Sequence, residues 1–318
     1  SVQLYIKFFM KIVFFGNGKR AFICLKYLIE ESQNIVGVVG IPNELDQENT
    51  ILSLAIDNNI PIIVTEDPND KDTISLIKKY NSDIFVLGGY CKILNSKILS
   101  IPKRMAINLH AGKLPEYRGS SPLNWALING EEEFTISIIK VTIGIDAGPI
   151  LKEQTFEIDL DDNIYNLHEK ANYHFPIMLS QLINEITSNK YSEKPQDIKN
   201  CSYFPRRFKE DGFILFDQYK CDDVHNRIRA LSKPYPCAFS YVGKKKVYFI
   251  SSRLNEGKFY GEPGRVYRKV NNEILVCCND KSLWITNAEF EDGSDAIKEI
   301  SVYDSFSTLR NEILTSRS

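Results

Sequence analysis

The segment from Ile107 to Gly148, INLHAGKLPEYRGSSPLNWALINGEEEFTISIIKVTIGIDAG, sets one Asn, one His and one Asp among turn-forming residues. Asn108 and His110 are two positions apart at the end of an apolar run, so both side chains project from one face of a strand and can converge on one atom. Asp146 follows in a GIDAGP turn, where Gly144, Gly148 and Pro149 shape the backbone and leave the carboxylate to point inward. The three types form a working set: an amide N–H for a developing oxyanion, an imidazole for proton transfer, and a carboxylate to orient that imidazole. Ser120 and Ser121 lie in a turn before Pro122, outside the GxSxG context of an elbow nucleophile. Direct attack by a substrate amine is the simpler chemistry.

Such side chains need a rigid scaffold, and the preceding sequence supplies repeated strand-helix units. Lys11 to Phe15 reads as a strand, Gly16-Asn17-Gly18 as a tight turn and Lys19 to Glu30 as an amphipathic helix. Strands at Asn34 to Gly40, Pro61 to Val64, Asp83 to Gly88 and Met105 to Leu109 alternate with helices near Thr50 to Asn58 and Asp70 to Tyr80. This pattern predicts a Rossmann-like α/β domain with a mostly parallel sheet. GNGKRA fits the GxGxxA form of a dinucleotide fingerprint, but the second strand ends in Gly40 and Ile41, where a nicotinamide enzyme places an acid. The glycines are read as a βα turn. Gly88 and Gly89 fall at the carboxyl end of the fourth strand, either as bare backbone for a flat ring or as a plain strand-to-helix turn.

After the central segment come a short helix at Pro122 to Asn129, strands at Glu133 to Ile143 and Pro149 to Ile158, and a long helical pattern from Asp161 to Thr187 with a kink expected at Pro176. His168 falls on the apolar stripe of that helix and reads as a core residue; His174 falls off it and reads as surface. The polar, aperiodic stretch 189–202 reads as a linker between a catalytic domain at 10–188 and a smaller domain at 203–318. Short strands at Ala238 to Tyr241, Lys246 to Ser251, Gly264 to Tyr267, Ile274 to Cys278 and Ser282 to Thr286 predict a β-barrel-like, OB-like fold there.

Seven scattered cysteines without CxxC spacing argue against a disulfide framework and a zinc site, and point to a reducing, cytoplasmic setting. Lys7 and Lys11 interrupt the apolar N-terminus, so no membrane span is expected, and residues 1–9 read as an extension before a start at Met10.

Asn108-Leu109-His110, Leu114 to Gly119 (LPEYRG) and Asp146-Ala147-Gly148 together resemble the core of the formyltetrahydrofolate-dependent formyltransferases, whose N-x-H, L-P-x-Y-R-G and D-x-G motifs occur in this order. YFPRRFKEDGFILF and HNRIRALSKPYPCAFSYVGKKK resemble the sugar-nucleotide N-formyltransferase branch, and EPGRVYRKVNNEILVCCNDKSLWITNAE resembles the barrel shared with methionyl-tRNA formyltransferase. The resemblance implies N10-formyltetrahydrofolate as donor, released as tetrahydrofolate, with no metal. It implies Asn108, His110 and Asp146 as catalytic residues, with Leu87, Gly88, Gly89, Tyr90, Ile143 and Gly144 around the pterin. Gly16, Tyr203, Arg206 and Arg207 are the candidates for a nucleotide-linked amino sugar destined for surface polysaccharide such as lipopolysaccharide O-antigen. The two arginines suit a diphosphate, with an interdomain salt bridge as the alternative. Arg118 reads as an anchor of its loop. Relatives are commonly dimers.

The rival acceptor is methionyl-tRNA. From Phe204 onward 19 Lys and Arg stand against 16 Asp and Glu, a net of +3, which is a weak field for tRNA phosphates. The Lys244-Lys245-Lys246 run falls where a hairpin turn is expected. A non-catalytic folate- or nucleotide-binding module is disfavoured by the intact Asn-His-Asp set, and a glycinamide ribonucleotide formyltransferase would not account for the second domain.

Overall fold

The computed structural model describes residues 10–316, so the expected extension at 1–9 lies outside the described residues. Packing divides the chain into two compact units that interleave in sequence. The first holds residues up to Gly119, Thr135–Thr155 and Glu169–Tyr203; the second holds Ser120–Phe134, Phe156–His168 and the chain from Phe204 on.

The chain opens with β1 (Ile12–Gly16), α1 (Gly18–Glu30), β2 (Ile35–Gly40), α2 (Ile51–Asp57), β3 (Ile62–Val64), α3 (Lys71–Lys78), β4 (Ile84–Gly88), α4 (Ser96–Leu99) and β5 (Met105–His110). Next come β6 (Arg118–Gly119), α5 (Pro122–Ile128), β7 (Glu133–Lys140), β8 (Ile150–Glu157) and α6 (Ile164–Thr187). One seven-stranded sheet has the order β3-β2-β1-β4-β5-β7-β8. The pairings among β1 to β5 are parallel, and β5 pairs with β7 antiparallel. Every residue of β1 and β4 is buried, as expected for central parallel strands covered on both faces. Val13, Phe15, Val39, Ile77, Phe85 and Leu87 form one core cluster on this sheet.

Strand β1 lies between β2 and β4, so the winding of the sheet reverses there, and the crevice at the carboxyl ends is where open α/β sheets bind ligands. Gly16 and Gly88 are register partners at that point. A Cβ on Gly16 would stand 2.7 Å from Ala21 Cβ and 2.8 Å from the Gly88 carbonyl oxygen, so close packing of α1 on the sheet requires glycine.

Helix α6 continues through Pro176, where the sequence predicts a kink. The ring removes one backbone hydrogen bond, while the buried stripe of Ile164, Leu167, Ala171, Phe175, Leu179, Leu182 and Ile186 carries the helix on both sides. His168 Nε2 meets Tyr235 Oη at 2.7 Å with the rings stacked, so it is a satisfied, half-buried histidine.

The stretch 189–202, expected as a linker, is packed onto the first unit. Lys194 and Ile150 exchange both backbone hydrogen bonds, and Glu193 pairs with Lys140. Its order comes from isolated bridges and side-chain contacts, which leave no periodic signal.

The remaining elements are β9 (Tyr203–Phe204), α7 (Cys221–Ala230), β10 (Ala238–Val242), β11 (Lys245–Leu254), β12 (Val266–Val270), β13 (Glu273–Cys277), β14 (Ser282–Phe290), α8 (Ala296–Glu299) and α9 (Leu309–Thr315). In the second unit, five antiparallel strands run in the order β10-β11-β14-β13-β12. The two edges are bridged by adjacent residues, Val242 by Phe306 and Arg265 by Ser305, which curls the sheet into a barrel-like form. Phe216, Phe249 and Phe306 pack together inside it, all with centroids within 5.8 Å. The Asn271-Asn272 pair joins β12 to β13 with positive φ at both residues, as a type I′ hairpin needs. Lys244 occupies the expected turn between β10 and β11.

Helix α7 was not expected. Its polar run CDDVHNRIRA conceals a buried face of Cys221, Val224, His225 and Ile228, while Asp222 and Asp223 at its start and Arg227 and Arg229 at its end suit the helix dipole. It packs against α5, where Asn124 Nδ2 donates to the Ala230 carbonyl at 2.8 Å. That packing places 120–134 with the second unit rather than with the preceding strands.

Candidate functional site

Strand β5 ends beside β4, with Asn108 in register with Leu87 and Leu109 with Gly88. Asn108 and His110 both reach Asp146, as the two-residue alternation requires. Asn108 Nδ2 lies 3.4 Å from Asp146 Oδ1, and His110 Nδ1 lies 3.5 Å from Asp146 Oδ2. The Gly119 backbone N–H donates to Asp146 Oδ2 at 2.9 Å. His110 is 5% exposed, and its Nε2 stands 2.6 Å from the Tyr117 carbonyl oxygen. A carbonyl only accepts, so Nε2 carries a hydrogen, and Nδ1 is the nitrogen that faces Asp146.

Asp146 lies in the loop joining β7 to β8, and its φ of 49° is in the left-handed region. A non-glycine residue there needs support from its surroundings. Gln196 provides contacts at that backbone: its Nε2 donates to the Asp146 carbonyl at 2.8 Å and to the Gly148 carbonyl at 2.6 Å. Its Oε1 accepts from Arg118 Nε at 3.0 Å and Nη2 at 2.7 Å. Arg118 is 4% exposed, and its Nη1 donates to Tyr203 Oη at 3.0 Å, with the guanidinium 5.6 Å from the Tyr203 ring centroid. Arg118 thus ties its own loop, β6 and the Asp146 loop to the 189–202 segment.

Leu87, Gly88 and Gly89 form the carboxyl end of β4 and its turn, with Gly89 at φ 64°. Asn17 pins this turn: its N–H approaches the Gly88 carbonyl at 3.4 Å, and its Oδ1 accepts from Cys91 N–H at 3.1 Å. The Tyr90 ring packs edge-on against Phe15 at 5.5 Å. Burial, with Cys91, Asp67 and Glu66 nearby, raises its phenol pKa, so the hydroxyl stays protonated, and it has no hydrogen-bond partner among the described residues. Ile143, 85% exposed, and Gly144 at φ 120° precede Asp146 on its loop and present apolar surface to solvent.

The N-terminus of α1, which the fingerprint reading would offer to a pyrophosphate, already holds an anion: Gly18 N–H donates to Glu44 Oε1 at 2.6 Å. This agrees with reading GNGKRA as a βα turn.

Tyr203 belongs to the first unit, and Arg206 and Arg207 belong to the second. The arginines contact different rings. Arg206 lies 5.8 Å from the centroid of Phe208, whereas Arg207 lies 4.8 Å from that of Trp125 and donates to the Asp211 carbonyl at 3.1 Å. Burial lowers the pKa of Arg207, and its Nε is buried without a partner among the described residues.

Three contributors escaped the sequence: the Tyr117 carbonyl, Gln196 and Asn17. Tyr117 acts through its backbone inside a motif read for its side chains. Gln196 is a lone amide after Pro195, and Asn17 sits between two glycines that dominated the reading of its turn. Among the described residues no group of three or more His, Cys, Asp or Glu could hold a metal ion, and no helix is long and apolar enough to cross a membrane.

Residues 10–183 match the Formyl transferase family, and residues 207–299 match its C-terminal domain. The chain is 33% identical over 285 residues to the bifunctional polymyxin resistance protein ArnA of Wigglesworthia glossinidia brevipalpis, covering 88% of this chain and 43% of that relative's length. It is 31% identical to the methionyl-tRNA formyltransferase of Sulfurihydrogenibium sp. (strain YO3AOP1), covering 88% of this chain and 92% of that enzyme. Among solved structures, WlaRD, a sugar 3N-formyl transferase crystallised with dTDP and 5-N-formyl-THF, superposes with a TM-score of 0.68 at 22% identity, covering 90% of this chain and 99% of that one. With both domains matched and Asn108, His110 and Asp146 converging at the end of β5, the chain belongs to the formyl transferase family.

Proposed function

We infer that this protein transfers the formyl group of N10-formyltetrahydrofolate to the amine of a nucleotide-linked amino sugar. The observation that carries formyl transfer is the convergence of Asn108 and His110 on Asp146 at the carboxyl end of β5. The donor supplies an electrophilic carbonyl. The bare turn Leu87-Gly88-Gly89, the Tyr90 ring and the exposed Ile143-Gly144 edge fit a flat pterin.

In this reading the Asn108 amide N–H holds the oxygen on which negative charge develops. His110 Nδ1 takes the proton released by the attacking amine, and Asp146 faces the resulting imidazolium. Removing one oxyanion donor costs about 10² to 10³ in turnover, so Asn108→Ala should fall by that factor. Equal turnover in that variant would remove Asn108 from the chemistry.

The sugar acceptor is supported by the ArnA relative, by the fold shared with a sugar 3N-formyl transferase, and by the net charge of only +3 after Phe204. The chain spans less than half of the ArnA relative, so that protein's second activity is not carried over. The second reading is a methionyl-tRNA formyltransferase, favoured by a relative covered over 92% of its length. Incubation with N10-formyltetrahydrofolate and UDP-, dTDP- or GDP-linked amino sugars, with methionyl-tRNA in parallel, separates the two. Formylated sugar nucleotide is the expected product; formylation of tRNA alone would overturn the acceptor assignment. Binding of tRNA would also weaken steeply with salt, because displaced counterions drive it.

A further inference from the structure

Gln196 uses its whole hydrogen-bonding capacity in one place. A primary amide has two N–H donors and an oxygen with two lone pairs. Both donors meet carbonyls of the catalytic loop, those of Asp146 and Gly148, and the oxygen meets two N–H groups of the buried Arg118. Arg118 can only donate and the two carbonyls can only accept, so the amide has one workable orientation. We propose that Gln196 is a positioning residue for Asp146: it holds that residue's strained backbone so that the carboxylate faces Asn108 and His110.

Three observations converge on this assignment. Asp146 sits at φ 49°, a conformation that costs free energy unless its neighbours enforce it. Among the described residues the side chain of Asp146 has one short contact, Gly119 N–H at 2.9 Å, while Asn108 and His110 stand at 3.4 and 3.5 Å. Its aim is therefore set largely from the backbone, where Gln196 is bound. Gln196 is itself fixed by the Lys194 bridge to Ile150 on one side and Arg118 on the other.

No other side chain of similar length does the same. A Glu at this position would still accept from Arg118, and more strongly, because the pair becomes ionic. Its second oxygen would face two carbonyl oxygens and repel the loop. Gln196→Glu therefore separates anchoring of Arg118 from holding of Asp146.

The proposal rests on the catalytic reading of Asp146, and a double-mutant cycle tests the two separately. Formyl transfer would be followed under single turnover with enzyme in excess, in wild type, Gln196→Glu, Gln196→Ala, Asp146→Asn and the two double variants. A displacement of about 1 Å costs about 10² in rate, so both Gln196 variants should lose roughly that factor, with KM for the donor, read in a parallel steady-state assay, changed less than about threefold. In the Asp146→Asn background the same changes should cost less than about threefold, because the group they position is already gone. An equal loss in both backgrounds would show damage not routed through Asp146 and overturn the proposal, as would full turnover in both single variants. Near-normal turnover of Asp146→Asn with Gln196 intact would instead overturn the catalytic reading on which the proposal depends.

Discussion

Gly148→Ala is a steric test of the role proposed for the Asp146 loop. A Cβ built on Gly148 would stand 1.7 Å from the Lys140 carbonyl oxygen, 2.9 Å from its carbon and 3.3 Å from Thr142 Cγ2. Real Cβ contacts essentially never fall below 3.0 Å, so one side must move by at least about 1.3 Å. The obstacle is backbone and cannot rotate away. Lys140 N–H donates to the Pro149 carbonyl at 3.0 Å, and the Lys140 residue ends β7 inside the sheet, so the loop is the side that yields. Asp146 is two residues away, and the Gly148 carbonyl is one of the two held by Gln196. A shift of this size at Asp146 should lower kcat by about 10², since an error of about 1 Å in a reacting geometry costs that much.

The assay is steady-state formyl transfer with thermal unfolding as a companion. Gly243→Ala is the control: Gly243 has a positive φ, 58°, which Gly148 does not, and nothing stands within 4 Å of its Cβ. It should lose about 1–2 kcal/mol of stability from the left-handed backbone and no turnover. If Gly148→Ala kept turnover within about threefold of wild type, the loop would tolerate a displacement larger than the chemistry should allow, and the role given to Asp146 would fail.

Arg118→Lys keeps the charge but loses the planar fork that reaches both Gln196 and Tyr203, so it should cost about 1–3 kcal/mol, read as a lower Tm. An unchanged Tm would remove Arg118 as the anchor. His225, hydrogen-bonded to Ser252 Oγ at 2.9 Å, has its pKa lowered below 6.5 by burial and by Arg229. The unfolded chain then binds this proton at a higher pH than the folded chain, so stability is intact above about 6.5 and declines as pH falls through and below that value. Melting curves at about pH 7.5 and 5.5 should show a smaller drop for His225→Asn than for wild type, and an equal drop would exclude His225 as the source.

The parts of the molecule that were legible in the sequence are those with a short-range signature. Continuous apolar strands and amphipathic helices revealed β1 to β5 and the parallel sheet, and the two-residue spacing of Asn108 and His110 revealed that they share a face. Helix α7 was hidden because six of its ten residues are polar or charged and its buried face has a partner only once α5 lies against it. The interleaving of 120–134 and 156–168 with the second unit has no local signal, since it is decided by contacts far along the chain such as Asn124 with Ala230. The 189–202 segment read as a linker for the same reason: Lys194 and Gln196 become structural only when the β8 edge and the Asp146 loop are present to receive them.

The site also shows how a backbone group can decide what a side chain does. A neutral imidazole has one donor and one acceptor nitrogen, and a free His110 could present either. The Tyr117 carbonyl, at 2.6 Å inside the LPEYRG loop, accepts a hydrogen bond from His110 Nε2–H and leaves Nδ1 on the side of Asp146. That loop is closed over His110 by the Gly119 N–H on Asp146 and by Arg118 on Gln196. The segment between His110 and Asp146 therefore contributes through backbone N–H and C=O groups at Gly119 and Tyr117 as well as through the Arg118 side chain. Substitutions of the Tyr117 side chain that preserve the loop should matter less to proton transfer than any change that moves its carbonyl.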